Sequence, residues 1–278
     1  MHDSIYSSKL EKKIPFSVYI NQNCNLNCNS CIRCAPLYDH EEYPLNIFER
    51  DLKQIYKLFK NSLLTIDGGE PLLNKNLLEY LKIGKKYCTQ VEIITNGILI
   101  PKLSKETLEY IRDNGMFFLI TCYPGINYSK TFETLAKYNI EYLNSALVIK
   151  KLFSNTDKLL FQYNRLSLKK INKNYAFNNC RECVGVLNNG KFYKCGKPII
   201  SKKLNEVYGT NFEVKDEDYI DIFKIKNFDD FYNFFSKSSE FCSYCKDKIR
   251  NPKKNTFEWN TFHKGKTFED LKIEFIEN

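Results

Sequence analysis

The chain has 278 residues, of which 43% are hydrophobic and 15% aromatic, enough for a packed core and too apolar for a disordered chain. No stretch reaches the roughly eighteen uncharged apolar residues of a membrane span, and the start shows no charged region followed by an apolar one. We therefore expect a cytoplasmic protein with no membrane association. The formal charge is +9, carried by scattered lysines and accompanied by no RNA- or DNA-binding motif, which argues against nucleic acid and leaves a small anionic molecule as the charged partner.

Residues 1–13 are polar and read as a flexible N-terminus. A first strand over residues 16–20 (Phe16-Ser17-Val18-Tyr19-Ile20) delivers the loop Cys24-x3-Cys28-x2-Cys31. Leu45, Phe48, Leu52, Ile55 and Phe59 then recur at helical spacing, with Asn46 as the expected N-cap. A second strand over 63–66 ends in Asp67-Gly68-Gly69-Glu70-Pro71, and a helix over 75–86 follows. Residues 91–95 form a third strand ending in Thr95-Asn96-Gly97. Ser104 caps the next helix and Asn114-Gly115 ends it. A fourth strand over 116–121 ends in Cys122-Tyr123-Pro124-Gly125, and a helix over 129–138 precedes a fifth strand within 142–149. A sixth, weaker strand lies at 159–163. Strands alternating with helices of this length form a parallel sheet, and right-handed crossovers curl it toward a barrel. Such barrels collect their site at the C-terminal ends of the strands, where each of these motifs falls.

Eleven cysteines in a chain without an evident secretory signal point to metal ligands rather than disulfides. Cys24, Cys28 and Cys31 make one group. Three thiolates hold three irons of a cubane and leave the fourth iron open. Cys180, Cys183, Cys195, Cys242 and Cys245 make a second group, in which four thiolates saturate a cluster. Gly190 is expected to turn a hairpin that brings Cys195 toward Cys180, and Cys183 is read as the spare, the spacing leaving the choice between Cys180 and Cys183 open. Cys34 reads as a packed thiol. A structural zinc with cysteine ligands is the competing reading of either group. The aromatic and acidic stretch 218–235 is expected to place a helix between the two halves of the second site, and residues 251–278, with Trp259, to cover a barrel edge.

Cys24-x3-Cys28-x2-Cys31 after a strand, together with Gly68-Gly69-Glu70-Pro71 after the next, resembles the motif pair of the radical S-adenosylmethionine (SAM) superfamily. Cys180-x9-Gly190-x4-Cys195 followed by Cys242-x2-Cys245 resembles that superfamily's twitch or SPASM-like auxiliary-cluster domains. The wider pattern is similar to a group found beside bacterial surface-polysaccharide genes. The resemblance implies an α/β fold, a partial (β/α)6 TIM-like barrel over 14–175, an auxiliary Fe-S domain over 176–250 and a C-terminal extension over 251–278. It implies a [4Fe-4S] cluster that binds SAM, a second [4Fe-4S] cluster, and a reductant of the flavodoxin or ferredoxin type. Gly68, Gly69, Glu70, Thr95, Asn96 and Ser30 take the positions that contact SAM; Ser30 stands where many members carry an aromatic. The implied chemistry is a 5′-deoxyadenosyl radical that removes hydrogen from an unactivated C–H bond. The reading favoured here is dehydrogenation of a sugar, nucleotide-sugar or polyol in surface-glycan metabolism. Epimerisation, peptide maturation and a non-catalytic scaffold are the alternatives. Tyr123, Asp67 and Arg165 are acid–base candidates by position.

Overall fold

The computed structural model describes residues 13–144, 160–162, 165–180, 184–245, 256–261 and 268–277. Of the expected flexible N-terminus only Lys13 lies within these residues, and Cys183 lies outside them.

The chain forms a mixed α/β fold around one eight-stranded sheet, in which strands β1 (Lys13–Asn21), β2 (Asn61–Gly68), β3 (Gln90–Thr95), β4 (Phe117–Ile120) and β5 (Tyr142–Asn144) run parallel in succession. Helices α1 (Leu45–Leu58), α2 (Leu77–Tyr87), α3 (Lys105–Asp113) and α4 (Ser129–Tyr138) make the crossovers. Alternate strand residues cause the layering. Phe16, Val18 and Ile20 of β1, Leu64 and Ile66 of β2 and Phe118 and Ile120 of β4 join the helix stripes in one buried apolar cluster. The intervening residues Ser17, Tyr19, Thr65 and Asp67 project to the opposite, inner face and are buried polar groups. Ser104 caps α3 by accepting the Thr107 N–H at 3.1 Å, an interaction of about 1 kcal/mol. The cap of α1 is Pro44 rather than Asn46: Pro44 is extended, and its carbonyl accepts the Phe48 N–H at 2.9 Å, starting the helix at Leu45.

The sixth parallel strand of the sheet differs from the sequence expectation. Strand β6 (Leu160–Gln162) pairs antiparallel with β11 (Thr256–Glu258) in a separate two-stranded sheet. The sixth parallel place is taken at the other edge, where β8 (Gly185–Asn188) lies beside β1. Between them in the chain come β7 (Leu166–Ser167) and α5 (Lys173–Asn179). β9 (Lys191–Tyr193) and β10 (Tyr219–Asp221) continue the sheet antiparallel. The Asn189-Gly190 turn, with both residues at positive φ, makes the expected hairpin. Asp51 of α1 pins it: its Oδ2 accepts the Gly190 N–H at 2.6 Å and the Tyr43 hydroxyl at 2.6 Å.

Helix α6 (Lys197–Tyr208) follows the hairpin, and α7 (Phe228–Phe235) packs through Phe231 on Phe59 and Phe192 of the main apolar cluster. The 218–235 stretch therefore covers the helix-bearing side of the sheet at its β8–β10 edge, because its phenylalanines match that apolar face. Helix α8 (Phe268–Phe275), strand β12 (Ile276–Glu277) and α6 build a second apolar cluster with Leu37, Phe241 and Tyr244. Among the described residues no helix is long and apolar enough to cross a membrane.

Candidate active site

The loop carrying Cys24, Cys28 and Cys31 leaves the C-terminal end of β1, and the Gly68-Gly69-Glu70 turn leaves β2 beside it. The two are laced backbone to backbone. The Gly69 N–H donates to the Asn21 carbonyl and the Glu70 N–H to the Asn23 carbonyl, each at 2.9 Å. The glycines are required by this approach. A Cβ on Gly68 would sit 2.0 Å from the Asn21 oxygen, and one on Gly69 2.2 Å from the Asn23 oxygen. The obstacles are the end of β1 and the loop that leaves it.

Glu70 is buried and organises the strand ends. One oxygen accepts from the Thr95 hydroxyl at 2.6 Å and the Leu72 N–H at 3.1 Å, and the other from the Asn96 N–H at 2.8 Å. Burial outweighs these three donors and raises its pKa to about 7. Asn96 in turn reaches the cysteine loop, donating to the Asn25 side chain at 2.7 Å and pointing at the Cys24 sulfur at 3.9 Å. Burial pushes the thiol of Cys28 up to about 12 and those of Cys24 and Cys31 up as well; Cys24 is raised further by both partners and Cys28 by Cys31. Three mutually repelling, buried thiols of this kind release protons when a metal centre takes them.

Ser30, in the left-handed region, turns its hydroxyl to the Glu274 carboxylate at 3.0 Å, so helix α8 closes over that end of the loop. Tyr123 stacks on Trp259 with ring centroids 4.5 Å apart and planes 23° from parallel. Polar atoms of both approach the Cys28 sulfur and favour its thiolate, while the indole Nε1 has no conventional hydrogen-bond acceptor among the described residues. A short strap holds Trp259 there: Asn29 and Asn260 exchange hydrogen bonds of 3.0 and 2.8 Å, and Cys28 bridges to Thr261. Trp259 thus covers the cysteine loop itself, not only a barrel edge.

Of the acid–base candidates, Tyr123 lies beside the cysteine loop. Asp67 is ion-paired with Arg33 and accepts the Gly68 N–H at 2.7 Å. Arg165 donates to the Ile273 carbonyl at 3.4 Å, on the α8 side. Arg33 and Tyr19 escaped the sequence reading. The Arg33 guanidinium lies 4.2 Å over the Tyr19 ring, and its charge bears on Cys31. Tyr19 abuts Gly196, where a Cβ would lie 1.9 Å from its hydroxyl, and it is within electrostatic reach of Cys195.

In the second group Cys180, Cys195, Cys242 and Cys245 line one small cavity with the buried Lys194. Burial raises the Cys195 thiol, and the neighbouring Cys245, Cys180 and Cys242 raise it further. Among the described residues no three Cys, His, Asp or Glu side chains are drawn together as for a single ion. Cys34 is buried in the second apolar cluster, as expected of a packed thiol, and Cys31 and Cys245 both pack against that cluster.

A family model described as "4Fe-4S single cluster domain" matches residues 15–123. The chain is 37% identical over 95 residues to a GTP 3′,8-cyclase of Helicobacter pylori, covering 32% of this chain and 29% of that one. It is 26% identical over 169 residues to a GTP 3′,8-cyclase of Campylobacter jejuni subsp. doylei, covering 59% of this chain and 50% of that one. The chain thus spans half or less of these relatives. Among solved structures, BtrN in complex with AdoMet and 2-DOIA superposes with a TM-score of 0.50 at 18% identity, covering 84% of this chain and 92% of that one. The enzyme anSMEcpe with bound AdoMet gives 0.50 at 13%, covering 86% and 84%. The motif pair and the matched cluster segment resemble those of radical SAM enzymes, and the mixed α/β fold with its largely parallel sheet is the fold of these solved structures.

Proposed function

We propose that this protein is a radical SAM dehydrogenase with two [4Fe-4S] clusters, acting on a sugar, nucleotide-sugar or polyol of surface-glycan metabolism. The observation that supports it is the difference between its two cysteine sets. Cys24, Cys28 and Cys31 stop at three and lie under the Gly68-Gly69-Glu70 turn, whereas Cys180, Cys195, Cys242 and Cys245 surround one cavity. Three ligands leave an iron open to a small molecule and four close the cluster. When bound, the first cluster with SAM would supply a hydrogen-abstracting radical and the second an acceptor for the electron the substrate gives up.

The residues fit these groups. The buried Asn21 carries an unpartnered side-chain oxygen at the strand end that faces the turn, and the thiols are thiolate donors once deprotonated. Gly68, Gly69, Glu70, Thr95 and Asn96 hold the turn against the loop, and Ser30 and the Tyr123–Trp259 pair close its outer side. Lys194 also lines the second set's cavity, its ammonium donating to the Phe234 carbonyl. Tyr123 is the best placed of the acid–base candidates, since Asp67 is committed to Arg33. We assign residues 14–175 to the main part of the barrel and 176–250 to the auxiliary-cluster region, whose β8 supplies the sixth parallel strand beside β1, with a flavodoxin- or ferredoxin-type protein as reductant.

Anaerobic reconstitution is expected to give about eight irons per chain, falling to about four when Cys24, Cys28 and Cys31 are replaced by alanine and likewise when Cys195 and Cys242 are. With dithionite, SAM and candidate sugars, 5′-deoxyadenosine should form in proportion to substrate oxidised. Four irons plus one zinc, or 5′-deoxyadenosine that persists without Cys24, overturns the proposal. The cyclase relatives favour one second reading, ring closure on a purine nucleotide. It predicts a rearranged nucleotide from GTP and no oxidised sugar.

A further inference from the structure

The chain has a single tryptophan, Trp259, and the structure holds it against the first cysteine set from three directions. It follows β11, which is fixed to β6 as an antiparallel pair. Just beyond it, Asn260 accepts the Asn29 N–H at 3.0 Å and returns its own N–H to the Asn29 side chain at 2.8 Å, and Thr261 pairs with Cys28. Across the loop, the ring of Tyr123, beyond the end of β4, stacks on the indole with centroids 4.5 Å apart.

The polar edges of both rings meet one atom, the Cys28 sulfur. The indole Nε1 is shut from solvent and has no conventional acceptor among the described residues. A buried donor in that state costs about 1–3 kcal/mol, which an electron-rich sulfur recovers better than a neutral thiol does. Tyr123 lies within electrostatic reach of Cys24 and Cys31 as well. The other two sulfurs are served from their own loop: Cys24 accepts the Leu26 N–H at 3.4 Å, and Cys31 is met by the backbone N–H groups of Arg33 and Ala35. The ring donors at Cys28 come instead from β4 and the C-terminal strap, so they can be removed without touching the loop.

Hydrogen bonds to the sulfurs are among the protein's levers on the potential of an iron–sulfur cluster. We propose that Trp259, with Tyr123 beside it, is a positioning residue that raises the reduction potential of the first cluster, its indole N–H and the Tyr123 hydroxyl both donating to the Cys28 sulfur and so favouring the more negative, reduced state. This rests on the proposed reading of Cys24, Cys28 and Cys31 as ligands of a [4Fe-4S] cluster. The step concerned is the transfer of one electron from the flavodoxin- or ferredoxin-type reductant; no bond of Trp259 or Tyr123 forms or breaks in it.

The test is a redox titration of the anaerobically reconstituted full chain, poised with dithionite and viologen mediators and followed by electron paramagnetic resonance. The signal altered by added SAM marks the first cluster, whose fourth iron is open. Trp259→Phe keeps an aromatic ring for the stack and removes the N–H. At the poise where the native first cluster is half reduced, its reduced-to-oxidised ratio should fall about three- to tenfold in Trp259→Phe, or about 30–60 mV for a one-electron couple. Tyr123→Phe should lower it likewise, while the second cluster keeps its midpoint in both variants. Should Trp259→Phe fail to hold the first cluster, Tyr123→Phe still decides, because an unchanged Trp259 emission maximum in that variant verifies that the strap is in place. Unchanged midpoints, or an equal shift at the second cluster, overturn this inference and leave the two-cluster reading standing. A shift in Tyr123→Phe beside none in Trp259→Phe overturns the role of Trp259. A native chain with only about four irons and no signal that responds to SAM overturns the reading, and this inference with it.

Discussion

Glu70 shows how one side chain organises the candidate site and how its chemistry can be read out. Its carboxylate gathers donors from Leu72, Thr95 and Asn96, so the turn after β2 is tied to the end of β3 through one side chain. Burial still raises its pKa to about 7, above the ordinary glutamate value. The sign of the linkage follows. Between the unfolded value and about 7 the folded chain holds a proton on Glu70 that the unfolded chain has released, so stability falls as pH rises through that window. The penalty is absent below the window and complete above it, at most about 3 kcal/mol. Urea unfolding of the metal-free chain at pH 4.5 and 7.5 should show this loss, and Glu70→Gln should flatten it. A pH slope unchanged in Glu70→Gln would assign it to other groups. Arg33 is the second organising residue: its charge answers the buried Asp67, its plane covers Tyr19, and it lies within electrostatic reach of Cys31.

At the scale of elements, the C-terminal strap is held to the cysteine loop by few contacts. The strap brings Trp259 onto Tyr123 and covers Cys28, anchored by the Asn29–Asn260 pair and the Cys28–Thr261 bridge. An offset aromatic stack of this kind adds about 0.5–1.5 kcal/mol beyond burial. Trp259→Ala should therefore leave the barrel's melting temperature almost unchanged while speeding alkylation of Cys28 in the metal-free chain about fivefold, as the local opening becomes easier. Tyr123→Phe keeps the stack but loses a hydroxyl that favours the Cys28 thiolate, so it should alkylate no faster than the native chain. Mass spectrometry of the modified peptide checks both; equal rates in Trp259→Ala would show that the strap does not shield the loop. The comparison with the sequence turns on the same distinction between local and distant contacts. The two motifs were legible because each follows an alternating strand and carries its chemistry within a few residues. The ends of α3 were legible from Ser104 and Asn114-Gly115, whose capping is local. The place of β8 beside β1 was not, since four residues carry no signal that names their edge. Nor was the Arg33–Tyr19–Gly196 contact, which joins three segments far apart in the chain, or the docking of Trp259, whose partner Tyr123 lies on a different strand end.

At the scale of the whole molecule, the two cysteine sets share a foundation. Cys31 of the first and Cys245 of the second pack against one apolar cluster built from α6, α8 and the segment around Phe241, distinct from the larger cluster beneath the crossover helices. Interiors at crystal-like density pass strain between neighbours, so loosening this cluster should disturb both sets together. Leu204, fully buried on α6, is the place to test it. Leu204→Ala is expected to cost about 2–5 kcal/mol, the usual range for a leucine truncated in a core. Leu108→Ala, in the larger cluster on α3, should cost a similar amount and serves as the control for general destabilisation. Under conditions where both variants remain folded, Leu204→Ala should raise the alkylation of Cys31 and Cys245 in step, and Leu108→Ala should leave both near the native rate. Parallel behaviour of the two variants would mean that the sets respond to global stability alone. A rise at Cys31 without one at Cys245 would mean that the shared cluster supports them separately, and the two sets would then have to be treated as independent sites on one sheet.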